Sequence, residues 1–138
     1  MECRALILLD THALVWMDAA SKQLGSNARQ IIDAALADDV LAVSALSFWE
    51  IGMLETKGRL SLQMDLIQWR AELLQGGLNE LPFNGQVAIS AAQLKGFHGD
   101  PADRLIVATA QVADARLITA DKAILAWSGE LETLDARH

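Results

Sequence analysis

The 138-residue chain contains a single cysteine, Cys3, and therefore has no internal disulfide to stabilise it. A lone cysteine fits a reducing compartment, and we expect Cys3 to be a small buried residue of the first strand. No apolar run approaches the ~18 residues that a membrane span needs. The first apolar run ends at Asp10 and lacks the length and the cleavage site of a signal peptide. These absences predict a cytoplasmic protein without a membrane segment.

Low-complexity stretches, charge blocks and internal repeats are also missing. Because 52% of the residues are hydrophobic, disorder is not expected. A chain of this length buries a real core but is too short for two ordinary domains. The composition therefore predicts one folded domain spanning residues 1–138.

Positive charge is scarce, since 11 Lys and Arg residues stand against 18 Asp and Glu residues, for a net charge of −7. Nonspecific nucleic-acid binding depends on cationic side chains that displace counterions, so this balance argues against it. The argument weakens if the acids are concentrated in one cleft, because bound divalent cations reverse the local potential. Where the acids lie is therefore the deciding question.

Short apolar runs alternate along the chain with segments of helical periodicity. Strands are predicted at residues 4–9, 40–44, 78–83, 116–119 and 130–134. Helices are predicted at residues 11–18, 26–38 (with Ser26 as N-cap), 45–57, 63–75, 84–95, 101–114 and 121–127. The alternation predicts an α/β fold with a mostly parallel sheet of about five strands.

Two acids, Asp10 and Asp121, each follow a predicted strand and precede a helix. Each is well placed to cap its helix. Each also lies at the carboxyl end of a parallel strand, where open α/β sheets bind their ligands. Neither acid by itself decides between the two interpretations.

Asp103 and Glu50 are predicted on helices. Asp100, Pro101 and Asp103 have the spacing of an N-cap, a first-turn proline and an acid that favours the helix dipole, which is a structural explanation for both acids. Asp103 nevertheless shares a helical face with apolar residues.

Glu50 falls on one helical face with Leu46, Trp49 and Met53, which predicts an unusually buried carboxylate. An ion pair with Arg104 is the structural alternative. Taken together, Asp10, Glu50, Asp103 and Asp121 predict an acidic site for Mg²⁺ or Mn²⁺, because hard cations prefer oxygen ligands.

Four segments resemble the PIN domain of VapC-type toxins, in that family's order and spacing over nearly the whole chain. They are LLDTH at 8–12, SALSFWEI at 44–51, HGDPADRLIVATA at 98–110 and LITAD at 117–121. The resemblance implies a three-layer α/β/α fold and a metal-dependent ribonuclease whose acids are Asp10, Glu50, Asp103 and Asp121. It also implies a homodimer and a partner antitoxin. Two rival functions stay open: a phosphatase with Asp10 as nucleophile, and a non-catalytic Mg²⁺-binding signalling module.

Several neighbouring residues carry weaker expectations. Metal ligation by His12 or His98 is not expected, because the paired spacing of histidine ligands is missing. Thr11 and Thr119 are expected either to bind a carboxylate or to cap a strand end. Arg104 is expected to orient Asp103, with contact to a phosphate as the alternative. Packing roles are expected for the four tryptophans, Trp16, Trp49, Trp69 and Trp127.

Overall fold

The computed structural model describes residues 5–138, so Cys3 and the predicted strand start at Arg4 lie outside the described residues. The strands are Ile7–Leu9 (β1), Leu41–Ser44 (β2), Asn79–Leu81 (β3), Arg116–Thr119 (β4) and Thr133–Asp135 (β5). The helices are Thr11–Asp18 (α1), Ser26–Ala37 (α2), Ala45–Thr56 (α3), Leu66–Gln75 (α4), Gly85–Ala92 (α5), Pro101–Val112 (α6) and Lys122–Ala126 (α7). The predicted alternation of strands and helices is confirmed.

The five strands form one sheet in the order β3-β2-β1-β4-β5, and every neighbouring pair is parallel. The central strand β1 places Leu8 between Ala42 of β2 and Leu117 of β4. Because all strands run the same way, their carboxyl ends lie at one edge of the sheet. We call this the carboxyl edge.

Both faces of the sheet are covered by helices, which explains why the strands are apolar at successive positions. Leu9, Val43 and Ile118 belong to one core cluster, which includes residues of α1, α2, α3 and α4. Their neighbours Leu8 and Leu117 belong to a second cluster on the other face, with residues of α6 and α7. The fold is therefore a three-layer α/β/α fold, and within residues 5–138 no helix is long and apolar enough to cross a membrane.

The predicted N-cap of α2 is wrong, because Gly25 and not Ser26 occupies that position. Gly25 donates its backbone N–H to the Ala136 carbonyl at 2.8 Å, and Asn27 donates to the His138 carbonyl at 3.2 Å. A Cβ atom on Gly25 would lie 2.1 Å from the His138 carbonyl carbon. The backbone N–H groups at the start of α2 are thus bound by carbonyls of residues 136–138 instead of a side-chain cap. The close approach of that segment leaves no room for a side chain at residue 25, so glycine is required.

The prediction for β5 is also shifted, since the strand spans Thr133–Asp135 rather than residues 130–134. Among the described residues β5 pairs with β4 alone, and its residues are partly exposed, so its apolar pattern is weak. The other differences are trimmed ends: α4 begins after its cap Asp65, and α5 stops at Ala92.

Candidate active site

Four predicted acids lie around one cavity at the carboxyl edge. Asp10 follows β1 directly, and Asp121 lies just beyond β4. Glu50 projects from α3, which begins where β2 ends, and Asp103 lies in the first turn of α6. All four line a cavity of about 250 Å³. The fold therefore brings together acids from four elements that are far apart in sequence.

Asp10 caps α1 and faces the cavity at the same time. Its Oδ1 accepts a hydrogen bond from the Ala13 N–H at 2.8 Å, and its Oδ2 accepts one from the Thr119 hydroxyl at 2.5 Å. Burial raises the pKa of Asp10, although these two hydrogen bonds oppose the shift. Each carboxylate oxygen has more than one lone pair, so capping leaves acceptor capacity for a ligand.

Asp121 is joined to Asp10 through the hydroxyl of Thr119. The Asp121 N–H donates to the Thr119 Oγ1 at 3.0 Å, and its side chain caps α7 by accepting from the Ile124 N–H at 3.0 Å. For both acids, the capping role and the position at the cavity are compatible. The expectation that Thr119 binds a carboxylate is confirmed.

Glu50 accepts a hydrogen bond from the Thr11 hydroxyl at 2.6 Å, and Thr11 Oγ1 lies 3.0 Å from the hydroxyl of Ser47. Burial is the main cause that raises the pKa of Glu50. Thr11 thus holds a carboxylate, as Thr119 does.

The sequence argument for a buried helical face around Glu50 is wrong. On that face the side chain of Trp49 is 59% exposed and that of Met53 is 37% exposed. The buried face of α3 carries Ser47, Phe48 and Ile51. Glu50 is therefore half-buried by the wall of the cavity rather than by its own helix face, and the packing role expected of Trp49 is also wrong.

Asp103 lies among other carboxylates in the cavity. Its backbone N–H donates to the Asp100 Oδ1 at 2.8 Å, which confirms Asp100 as the cap of α6. Burial raises the pKa of Asp103 to about 7, and the negative charges of Asp121, Asp100 and Glu50 add to the shift. Like charges thus converge on Asp103.

The expected role of Arg104 is wrong, and so is the alternative of an ion pair with Glu50. Its guanidinium donates to the carbonyl oxygens of Phe97 at 2.9 Å, Ala91 at 2.8 Å and Leu94 at 3.2 Å. It therefore ties the end of α5 to the loop that follows, instead of pairing with Glu50 or orienting Asp103. Adjacency in sequence did not reveal this, because consecutive residues of a helix point in different directions.

The cavity is also lined by His12, Trp16, Ala120 and Arg137. Sequence reasoning missed Arg137, which lies two residues beyond β5. Its position just after a parallel strand could have identified it as a residue of the carboxyl edge. Because β5 was predicted to end at residue 134, Arg137 was not recognised as such a residue.

The donor chemistry of the cavity fits a hard divalent cation. Its acidic side chains supply oxygen ligands, and their mutual repulsion favours a bound positive charge. As the side chains stand, no three acidic, His or Cys residues among residues 5–138 are grouped closely enough to hold one ion. A cation shared by these acids therefore requires rotation of the side chains or bridging water.

Comparison with known proteins gives a consistent result. The sequence model of the PIN domain matches residues 7–127. Ribonuclease VapC22 of Mycobacterium tuberculosis (strain ATCC 25618 / H37Rv) is 37% identical over 117 residues, which cover 84% of this chain and 87% of that protein.

Two solved structures show the same fold. The crystal structure of VapBC2 from Rickettsia felis bound to a DNA fragment from their promoter contains a chain that superposes with a TM-score of 0.69 at 16% identity. That match covers 94% of this chain and 97% of the other. A chain of FitAcB from Neisseria gonorrhoeae superposes with a TM-score of 0.64 at 23% identity, and the match covers 96% and 99% of the two chains.

Proposed function

We propose, from the premise that the chain belongs to the PIN-domain family, that it is a metal-dependent ribonuclease and the toxin of a toxin–antitoxin pair. The observation that carries the proposal is the convergence of Asp10, Glu50, Asp103 and Asp121 on one cavity. Burial destabilises the charged forms of Asp10, Glu50 and Asp103 and so raises their pKa values. A cation bound beside these carboxylates would offset that cost. The proposed site of action is the cytoplasm.

In the proposed mechanism, the same four acids hold Mg²⁺ or Mn²⁺. When bound, the metal lowers the pKa of water and neutralises the charge that develops on the phosphate. The Thr119 hydroxyl donates to the Asp10 carboxylate and accepts from the Asp121 backbone N–H, so it orients Asp10 and positions the backbone of Asp121. Thr11 orients Glu50, because its hydroxyl donates to the Glu50 carboxylate. The two threonines thereby hold the carboxylates of Asp10 and Glu50 and the backbone of Asp121.

The test is cleavage of a labelled structured RNA by purified protein in Mn²⁺, in Mg²⁺ and in EDTA. We expect cleavage with metal, no cleavage in EDTA, and a loss of at least about 100-fold in Asp121→Asn. Glu80→Gln is the matched control, because Glu80 pairs with Arg70 away from the cavity.

Calorimetry and thermal melting supply an independent readout. Metal at a hundred times its Kd should stabilise the folded protein by about 2.7 kcal/mol. A folded wild type that neither cleaves RNA nor binds metal would refute the proposal. Metal binding without RNA cleavage would favour the phosphatase or the signalling module instead.

The proposed antitoxin is a small protein that presents basic residues to the acidic cavity, because opposite charges favour such an interface. Co-expression with the reading frame directly upstream should yield a complex on purification. Recovery of free protein alone would count against this partner.

A homodimer is also proposed, on the basis of an exposed apolar patch beside the cavity. The patch contains Leu46, Trp49, Phe83 and Leu105, and the side chains of Trp49 and Phe83 are 59% and 45% exposed. Sedimentation should show a dimer for the wild type and a monomer for Trp49→Asp. A monomeric wild type would refute the dimer and leave the proposed activity untouched.

A further inference from the structure

We propose that Arg137 binds a phosphate group of the RNA at the rim of the acidic cavity. This inference rests on the proposed ribonuclease function and adds a substrate-binding residue to it. The four acids account for metal binding, but they do not explain how a chain with a net charge of −7 attracts a polyanion. A cation beside the acids answers that question.

The fold delivers Arg137 to the carboxyl edge in the same way as the acids. β5 runs parallel to β4, so residues that follow Asp135 emerge at the edge where Asp121 follows β4. The Ala136 N–H donates to the Thr119 carbonyl at 2.8 Å, and the Arg137 N–H donates to the Asp135 Oδ1 at 2.9 Å. The backbone around Arg137 is therefore tied to the strand that also positions Asp121.

The guanidinium of Arg137 is held at the rim by uncharged groups. It lies over the ring of Trp16, with 5.3 Å between its Cζ and the ring centroid, and it donates to the Ala120 carbonyl at 3.1 Å. Trp16 is almost fully buried, so the ring is a fixed support for the arginine side chain. These contacts orient the guanidinium without neutralising it.

Three other described arginines have partners away from the cavity. Arg70 and Arg116 form ion pairs with Glu80 and Glu132, and Arg104 donates to three carbonyls. Arg137 is the only lysine or arginine among the described residues that line the cavity. Within residues 5–138 it forms no ion pair.

A guanidinium that stays unpaired beside several carboxylates keeps its full charge for an incoming anion. Its planar donor fork matches the oxygens of a phosphate, and arginine suits this contact better than lysine does. The geometry therefore assigns the rim position to a backbone phosphate of the RNA.

The test measures binding of a short fluorescein-labelled single-stranded RNA by anisotropy. Binding is measured in Mn²⁺ over a KCl series, in a Glu50→Gln background that blocks cleavage. Arg137→Gln should weaken binding about tenfold and reduce the slope of log affinity against log salt by about 0.7, the value for one lost phosphate contact. Arg137→Lys should restore the slope.

Two further variants separate phosphate binding from a structural role. Arg137→Met keeps an apolar stem over Trp16 but no charge, so it should bind as weakly as Arg137→Gln while its melting temperature stays near the wild-type value. Arg59→Gln removes the same charge from an exposed position after the far end of α3 and should leave binding and slope unchanged.

In the cleavage-competent protein, Arg137→Gln should raise KM more than it lowers kcat. This inference would be overturned if the wild type cleaves RNA but the salt slope of Arg137→Gln equals that of Arg59→Gln. The proposed function would still stand in that case. Wild-type affinity in Arg137→Met would overturn it as well. A wild type that does not cleave RNA would instead overturn the proposed function.

Discussion

Glu80 and Asp103 are both acidic, but their surroundings shift the two pKa values in opposite directions. Arg70 donates two hydrogen bonds to Glu80, at 2.7 and 2.9 Å, and these bonds hold the pKa of Glu80 below its ordinary value. Asp103 lies among other carboxylates in the cavity, where burial and repulsion raise its pKa to about 7. The charge of Glu80 is thus compensated by Arg70, a residue of the same chain. The carboxylates of the cavity repel one another instead, which favours binding of a cation from solution.

The strongest test of this contrast is Asp103→Asn. The change removes one negative charge from a repulsive cluster, so metal-free stability should hold or rise. Metal affinity should fall, and RNA cleavage should fall about 100-fold or more. Melting temperature in EDTA and in Mn²⁺, together with cleavage rate, measures both effects.

Asp65→Asn is the matched control, since Asp65 caps α4 away from the cavity by accepting from the Ile67 N–H at 3.0 Å. It should leave cleavage unchanged, because asparagine is an equally good N-cap. An Asp103→Asn protein that is less stable in EDTA and still cuts RNA at a near wild-type rate would reduce Asp103 to a structural residue.

A smaller loss is expected for Thr119→Val. The change keeps the shape of a buried side chain but removes the hydroxyl that bonds to Asp10 and Asp121. Activity should fall about tenfold, as for other residues that orient metal ligands. The pKa of Asp10 should rise, because the lost hydrogen bond lowers it, so the activity profile should move to higher pH.

Thr56→Val provides the comparison for this change. Thr56 donates to the Gly52 carbonyl at 2.9 Å in the last turn of α3, at an exposed position. Equal losses in the two valine variants would show that a missing hydroxyl acts through general stability and not through the site.

The stability of the metal-free protein should depend on pH in the direction set by Asp103. Its pKa rises from 3.8 to about 7 on folding, so the folded state binds the proton more tightly. The stabilisation is therefore present below pH 3.8 and is lost as the pH rises through about 7. Urea unfolding in EDTA at pH 5 to 8 should show declining stability, and Asp103→Asn should flatten the decline. A rise over this range would contradict the repulsive cluster.

The smallest effect is expected for Glu80→Gln at neutral pH. Surface ion pairs contribute little, so the melting temperature and RNA cleavage should stay within error of the wild type. Because the pKa of Glu80 is lowered, its contribution is present above pH 4.5 and is lost as the pH falls. The variant should therefore differ from the wild type only in acid, where its stability should fall less as the pH is lowered. A large change in its melting temperature at pH 7 would refute the contrast between Glu80 and the cavity.

Much of the site could be read from the sequence because its determinants are local. The caps formed by Asp10, Asp100 and Asp121 depend on backbone groups three residues away, and all three are confirmed. The roles of Arg104 and Trp49 could not be read in this way. Each depends on which surface of a helix meets a distant element, and helical spacing alone does not specify that surface.

The sequence by itself determined the order of strands and helices and the parallel sheet, since these follow from apolar periodicity. It also named the four candidate acids, Asp10, Asp103 and Asp121 by their positions near helix starts and Glu50 by a helical-face argument that the structure contradicts. The tertiary structure decided which strands are neighbours, and with them that Asp10, Glu50, Asp103 and Asp121 share a cavity with Arg137. It also decided that Asp103 has a pKa of about 7. Burial and charge repulsion act through space, so they exist only once segments distant in sequence have been brought together.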